Sequence, residues 1–453
     1  MKNIPYSLLL ALFLYFPLLA GSTSFPWKAG VAQEVITPES NLWMAGYAAR
    51  TKPAEGKQHE LWIKAVSLED AQGNEGVWIT SDILGFPKAL SDRIKDQLYH
   101  KYGISRAQVI LSSSHTHSGP VLEQALFDIY PLDDAQIQAI KDYTSLLEKK
   151  VIALVEKARQ NRMPARISTG QGVSRFQVNR RNNPEMGWQE KPHLDGPMDH
   201  AVPVIKIENE KGVQTVIFGY ACHPTVLDQY EWSGDYPGYA QLALEQEYPS
   251  TAFLFFQGAS GDQNPIPRRT VPLAKQYGKT LAAAVSRVLE EEMEEQPSLL
   301  RVAYEEFPLP FAEPFSVSEL QGMAKKERGY LKRWAERMLK ESQEGIEHPD
   351  SYPYPIQLWT LGEQALFSLG GEVTVSYALA LKAKYGWDTF VMAYSNDVMG
   401  YIPSETILEE GGYEGYQSQM VYGLPTLWEK GIEKNILSKL DEMASELGLR
   451  PSK

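Results

Sequence analysis

Cysteine is nearly missing from this chain of 453 residues: Cys222 stands alone. No internal disulfide can form, so stability must come from packing, with or without a metal. Positive charge is in deficit too. The sequence has 44 Lys and Arg against 57 Asp and Glu, giving a formal net charge of -13. Such a surface repels phosphate backbones, so nucleic acid is not an expected partner. No Gly, Ser or Pro-rich linker divides the chain, and there is no internal repeat or low-complexity tract. One large domain is therefore expected despite the length. A hydrophobic content of 43 % with 22 % charged residues is ordinary for a globular protein with a substantial core.

Long apolar runs are also wanting, except at the N-terminus. There Met1-Lys-Asn-Ile-Pro5 supplies a short positive region, Ser7 to Ala20 an apolar core and Ala20-Gly-Ser22 a small-residue cleavage region. This pattern predicts a secretory signal peptide over residues 1–22, too short for a comfortable membrane span. The mature chain is then 23–453, exported to a periplasm or secreted. The absence of a cysteine after the leader argues against a lipid anchor.

What is present is a series of apolar runs that end in small or polar loops. Gln108 to Leu111 leads into Ser112-Ser-Ser-His-Thr-His-Ser-Gly-Pro120. Residues two apart on an extended backbone project to the same side. His115 and His117 could both face one metal, or one could bind it while the other handles a proton; a lone His-x-His also serves as a loop cap. Val213 to Cys222 ends in His223-Pro224, Thr251 to Phe256 empties into Gln257-Gly-Ala-Ser-Gly-Asp262, and the hairpin about Gly362-Glu363 ends at Gly370-Gly-Glu372. Thr389 to Tyr394 is followed by Ser395 to Tyr401. Between these strands lie helical patterns. One has Ser91 as a candidate cap and Gly103 as its stop; others run from Asp133 to Ala158, Leu273 to Glu290, across the charge-rich stretch Ser316 to Glu344, and from about Leu427 to Leu447. Strands mixed with long helices predict an α/β protein with a mixed β-sheet core and surrounding helices.

Five strand ends thus deliver His115 and His117, His223, Asp262, Glu372 and Tyr401 to loops, where α/β proteins gather their sites. Two imidazoles plus a carboxylate are a usual catalytic zinc set. Together these stretches resemble the neutral/alkaline (non-lysosomal) ceramidases. The resemblance runs from about Gly30 to Trp428 and rests on Ser114-His-Thr-His-Ser-Gly-Pro120, Tyr220-Ala-Cys-His-Pro-Thr225, Ser233-Gly-Asp-Tyr-Pro-Gly-Tyr239, Gly370-Gly-Glu-Val-Thr374 and Asn396 to Tyr401, in that order.

The resemblance implies a ceramidase-like catalytic domain in which His115, His223, Glu372 and Tyr401 bind Zn2+. It implies that His117 faces the scissile carbonyl or the metal-bound water, and that Arg180, in Val178-Asn-Arg180, contacts the substrate or the developing oxyanion. Two departures stand out. Where the family has a serine in a Gly-Asp-x-Ser-Pro stretch, this chain has Gly261-Asp-Gln-Asn-Pro265. Asn264 can donate a hydrogen bond but cannot act as a hydroxyl nucleophile. The chain also stops at Lys453, so it is expected to lack the C-terminal β-sandwich of full-length members.

The leading expectation is an exported zinc-dependent amidohydrolase acting on a small-molecule or lipid substrate, ceramide or a related N-acyl amine, through metal-bound water. The alternative keeps the metal and replaces the substrate with a carbohydrate, by deacetylation or lyase chemistry. A non-catalytic binding protein is the third reading.

Overall fold

The computed structural model describes residues 25–126, 128–185 and 193–452. The expected leader, residues 1–22, lies outside the described residues. Among the described residues no helix is long and apolar enough to cross a membrane.

Eight strands form the main path of the larger sheet: β1 (Trp27–Val35), β2 (Trp62–Glu69), β3 (Glu75–Ser81), β4 (Val109–Ser113), β5 (Met163–Val173), β6 (Ala201–Asn209), β7 (Gly212–Tyr220) and β8 (Ala252–Gln257). Their order across the sheet is β8-β7-β6-β5-β1-β2-β3-β4. The two outermost pairs, β8 with β7 and β3 with β4, are parallel; the pairs between them are antiparallel. A second sheet has the order β9 (Leu300–Pro310), β10 (Ser351–Leu361), β11 (Gln364–Leu369) and β12 (Phe390–Met392). The expected mixed β-sheet core with surrounding helices is thus what the chain forms, as two sheets rather than one.

Alternation of side chains along each strand explains why the sheets stack. Val66, Trp78, Ile110, Ile205 and Phe256 of the larger sheet share one buried cluster with Trp359, Leu366 and Met392 of the smaller one. The alternate residues point the other way, onto helices. Val77, Ile79 and Leu111 pack on α1 (Lys88–Tyr102) and α2 (Asp134–Gln160). Phe218 and Phe255 pack on α3 (Asp235–Glu247) and α4 (Val271–Glu290). The outer face of the second sheet, including Leu358 and Phe367, packs on α5 (Val375–Tyr385) and α6 (Ile432–Glu446). The result is four layers: helices, sheet, sheet, helices.

Most helix ends follow the sequence signals. Asp133 and Gln136 make a capping box at the start of α2, and Thr270 caps α4. Gly103 closes α1 in the left-handed region with φ 72°. Ser91, expected to cap α1, is instead inside it: the helix starts at Lys88, after Pro87. The fixed φ of proline supplied an earlier start than the hydroxyl did. The charge-rich stretch is two helices, Val317–Lys326 and Gly329–Gln343.

One long-range feature positions the site. The larger sheet curls until its two edge strands, β4 and β8, come into contact. The segment after β12 fastens them together. The N–H of Ala393 donates to the Gln257 carbonyl at 3.0 Å, that of Ser113 to the Tyr394 carbonyl at 3.3 Å, and that of Asn396 to the Leu111 carbonyl at 2.6 Å. The Asn396 side chain also accepts from Leu111 N–H at 3.2 Å and donates to Gln357 at 2.8 Å.

Candidate active site

The curl brings together the loops that follow β4, β7, β8, β11 and β12. His115 and His117 come from the first, His223 from the second, Asn264 from the third, Glu372 from the fourth and Tyr401 from the fifth. Residues Glu372–Val373 and Tyr401–Ile402 pair as a short parallel ladder with Glu372 directly opposite Tyr401. This pairing places two residues distant in sequence on one wall. His115 adopts a left-handed φ of 61°, Tyr394 one of 53° and Asn396 one of 65°. Such strain in non-glycine residues is held only where the surroundings overdetermine it, and it concentrates at functional sites.

Three imidazoles and a carboxylate converge there. His115 Nε2 lies 3.1 Å and His223 Nε2 3.0 Å from the same Glu372 oxygen, Oε2. His117 Nε2 lies 3.2 Å from His115 Nε2. The Tyr401 hydroxyl is 3.5 Å from His223 Nε2. All of these side chains are buried, and the three histidines form a group whose ring nitrogens could hold a metal ion.

The tautomers follow from the backbone. His115 Nδ1 is 2.7 Å from the Leu84 carbonyl and His223 Nδ1 is 2.8 Å from the Ser260 carbonyl. A carbonyl only accepts, so each Nδ1 carries the hydrogen and each neutral ring turns its Nε2 lone pair inward. Both lone pairs therefore face Glu372 Oε2, which is buried with no hydrogen-bond partner. Lewis bases pressed together without a proton between them are the donor set a divalent cation requires, so the residues fit a metal. The other Glu372 oxygen, Oε1, accepts from the Tyr422 hydroxyl at 2.6 Å.

His117 differs from the other two. Its Nδ1 is buried without a partner, and its backbone carbonyl accepts from Arg50 Nη2 at 2.9 Å. The Tyr47 ring packs edge-on against it with centroids 4.8 Å apart. Gly46, at φ 103°, makes room for it: a Cβ there would lie 2.4 Å from the His117 ring. Burial, reinforced by the neighbouring imidazoles, holds His117 well below its ordinary pKa, and burial pushes His223 down to about 4.

Arg180 closes the other side. It donates from Nη2 to the Tyr401 hydroxyl at 3.0 Å, from Nη1 to Asn264 Oδ1 at 3.3 Å and from Nε to Glu414 at 2.7 Å. Burial opposes its charge, yet Tyr401 and Glu414 more than compensate, so the guanidinium stays protonated. Burial raises Tyr401 well above its ordinary pKa in spite of Arg180. Asn264 Oδ1 thus accepts from Arg180, and Asn264 lines the cavity in front of the site.

That cavity has a volume of about 700 Å³, and His117, Arg180, Asn264 and Tyr401 are among the residues lining it. A second cavity of about 830 Å³, walled by Phe311, Phe315, Leu427 and Trp428, lies across the 408–415 segment and is lined by none of the candidate residues. Asp262 is not in either wall. It sits behind the site, accepting from Val375 N–H at 2.8 Å and Asn179 Nδ2 at 2.9 Å. Gly261 admits backbone: a Cβ there would lie 2.6 Å from the Glu372 carbonyl.

Of the residues singled out in the sequence for chemistry, His115, His117, Arg180, His223, Asn264, Glu372 and Tyr401 are thus brought to one place, with Asp262 behind them. A model of the neutral/alkaline non-lysosomal ceramidase N-terminal domain matches residues 27–266 of the chain. The chain belongs to this family. Among proteins similar to this ceramidase-family chain are neutral ceramidase A of Dictyostelium discoideum, 27% identical over 273 residues, and neutral ceramidase 2 of Arabidopsis thaliana, 24% identical over 267 residues. The matches cover 55% and 56% of this chain but only 37% and 33% of those proteins, so the aligned part spans about a third of their length. Two solved structures share the fold over 94% of this chain. A ceramidase complexed with C2 gives a TM-score of 0.71 at 17% identity over 76% of that chain, and a neutral ceramidase from Pseudomonas aeruginosa gives 0.70 at 19% over 75%.

Several groups that shape the site carried no signal in the sequence. Arg50, Glu414 and Tyr422 act through long-range hydrogen bonds that no local pattern announces.

Proposed function

We propose that this ceramidase-family chain is a metal-dependent hydrolase that cleaves the amide bond of an N-acyl amine, ceramide or a related compound. His115, His223, Glu372 and Tyr401 hold a zinc ion in this reading, and His117 is the proton-transfer group. One observation carries it: two inward lone pairs each lie within 3.1 Å of one unpartnered carboxylate oxygen. The division of labour follows from Nδ1. His115 and His223 are locked by backbone carbonyls, as metal ligands are, whereas His117 has a free ring nitrogen beside the cavity.

Bound zinc would polarise the substrate carbonyl and bring the pKa of water down toward ~7. His117 accepts a proton from the attacking water and returns it to the departing amine nitrogen as the C–N bond breaks, giving a carboxylic acid and a free amine. Arg180 and Asn264 present N–H donors, and Tyr401 its phenol, to the oxygen on which negative charge develops. The leader expected over residues 1–22 places this catalytic domain, residues 23–453, outside the cytoplasm. Purified protein should contain about one zinc per chain and lose turnover to a chelator; full activity in the His115→Ala and His223→Ala variants would sink the proposal.

A further inference from the structure

We infer that the amine half of the substrate is a neutral, hydroxyl-rich group of the kind an N-acetylated amino sugar presents, rather than a long-chain lipid base. This rests on the reading of the site as an amidase and concerns the cavity in front of it. Its wall carries three arginines and three glutamates, and each charge is already answered. Arg180 pairs with Glu414 at 2.7 Å, Arg181 with Glu410 and Glu414 at 2.8 Å each, and Arg268 with Glu185 at 2.8 Å. Among its described residues the wall therefore has no spare positive charge to draw an anionic substrate. It still presents many fixed N–H donors and carboxylate acceptors.

Among the described residues lining the cavity, Ile266 is the only aliphatic side chain beyond the methyl of Thr225. An alkyl chain laid against the paired charges would strip them of water and return no hydrogen bond. Hydroxyl groups would replace that water bond for bond. Tyr413 adds a flat surface at the rim: it is 39% exposed, with its ring packed against Tyr401 at 5.4 Å. The aromatic and aliphatic side chains that could hold a lipid tail line the other cavity, across the 408–415 segment.

The test is a competition on metal-loaded protein between N-acetylhexosamine oligosaccharides, short- and long-chain ceramides in mixed micelles, and anionic N-acyl amino acids. Acetate release from the oligosaccharide should exceed hydrolysis of the other two classes by about 10⁴-fold in kcat/KM, the scale on which a site built to hydrogen-bond a hydroxyl rejects a substrate lacking it. Arg268→Leu, which removes the nearer partner of Glu185 and leaves it only Arg269 at 3.9 Å, should raise KM for the oligosaccharide more than it lowers kcat. A preference for either ceramide or the anionic amides overturns the inference. If no amide is cleaved, the oligosaccharide is titrated calorimetrically onto the His117→Ala protein. Saturable binding then upholds the ligand class and removes the amidase reading, and no binding overturns both.

Discussion

Replacing Tyr422 with phenylalanine removes one oxygen and tests whether Glu372 is a metal ligand. The phenol donates to Glu372 Oε1 at 2.6 Å while Oε2 faces the two histidines. It therefore orients the carboxylate without occupying the donor sphere. The ring contacts both neighbouring hydrophobic clusters, and phenylalanine preserves that packing. A hydrogen bond to a charged acceptor contributes roughly 1.5–3 kcal/mol. If that energy acts on the carboxylate as ligand, zinc affinity should fall roughly ten- to a hundredfold, the usual scale for such outer partners. Competition with a chromophoric chelator measures this directly. Tyr385→Phe is the control, because it deletes a comparable bond, to Asp441 at 2.8 Å, in the outer helical layer. Equal zinc affinity in wild type and Tyr422→Phe, or an equal loss in the control, would refute the argument that Glu372 is a ligand held by Tyr422.

His117→Ala should lower kcat by about 10²–10⁴ and keep its zinc, whereas His115→Ala should lose both; loss of metal from the His117 variant would place it among the ligands. Arg50→Met deletes donors to the His117 and Gln229 carbonyls at 2.9 and 2.7 Å. It should cost roughly 2–4 kcal/mol in urea unfolding and reduce kcat, so an unchanged kcat would show that His117 is held without it. Burial pushes the Asp235 carboxyl up to about 7, against the N–H donors of Leu227 and Tyr236. A raised folded pKa means that this group's contribution is complete below its unfolded pKa, near 4, and is lost as pH rises through about 7. Asp235→Asn should therefore be less stable at low pH, having one acceptor fewer, yet show a flatter decline of melting temperature between pH 5 and 8; parallel slopes would contradict the assignment.

The parts of this molecule that local chemistry decides were readable in advance. Ala252 to Phe256 is apolar throughout because the strand is buried on both faces, and Asp133 and Gly103 mark helix ends through their own side chain and backbone freedom. Each site histidine was visible because it follows such a strand. Pairing between distant strands left no comparable trace. The division into two sheets, the ladder joining Glu372 to Tyr401, and the reach of Arg50 to the loop of His117 depend on chain closure, which no window of sequence encodes. Gly261 shows the same limit, since its smallness serves the backbone of Glu372 and not a ligand. The family resemblance filled part of this gap by supplying a grouping of residues that periodicity could not.

An exposed rim on a β-sheet is a template for recruiting another chain, and a sheet of this length has two of them. Here the stretch from Ala393 to Asn396 occupies both at once, only five residues before Tyr401. The same four residues therefore bring the candidate site together and cover the rims of the larger sheet. A ribosome-stalled or proteolysed chain ending before this stretch would leave both rims uncovered and should aggregate more readily than the full chain.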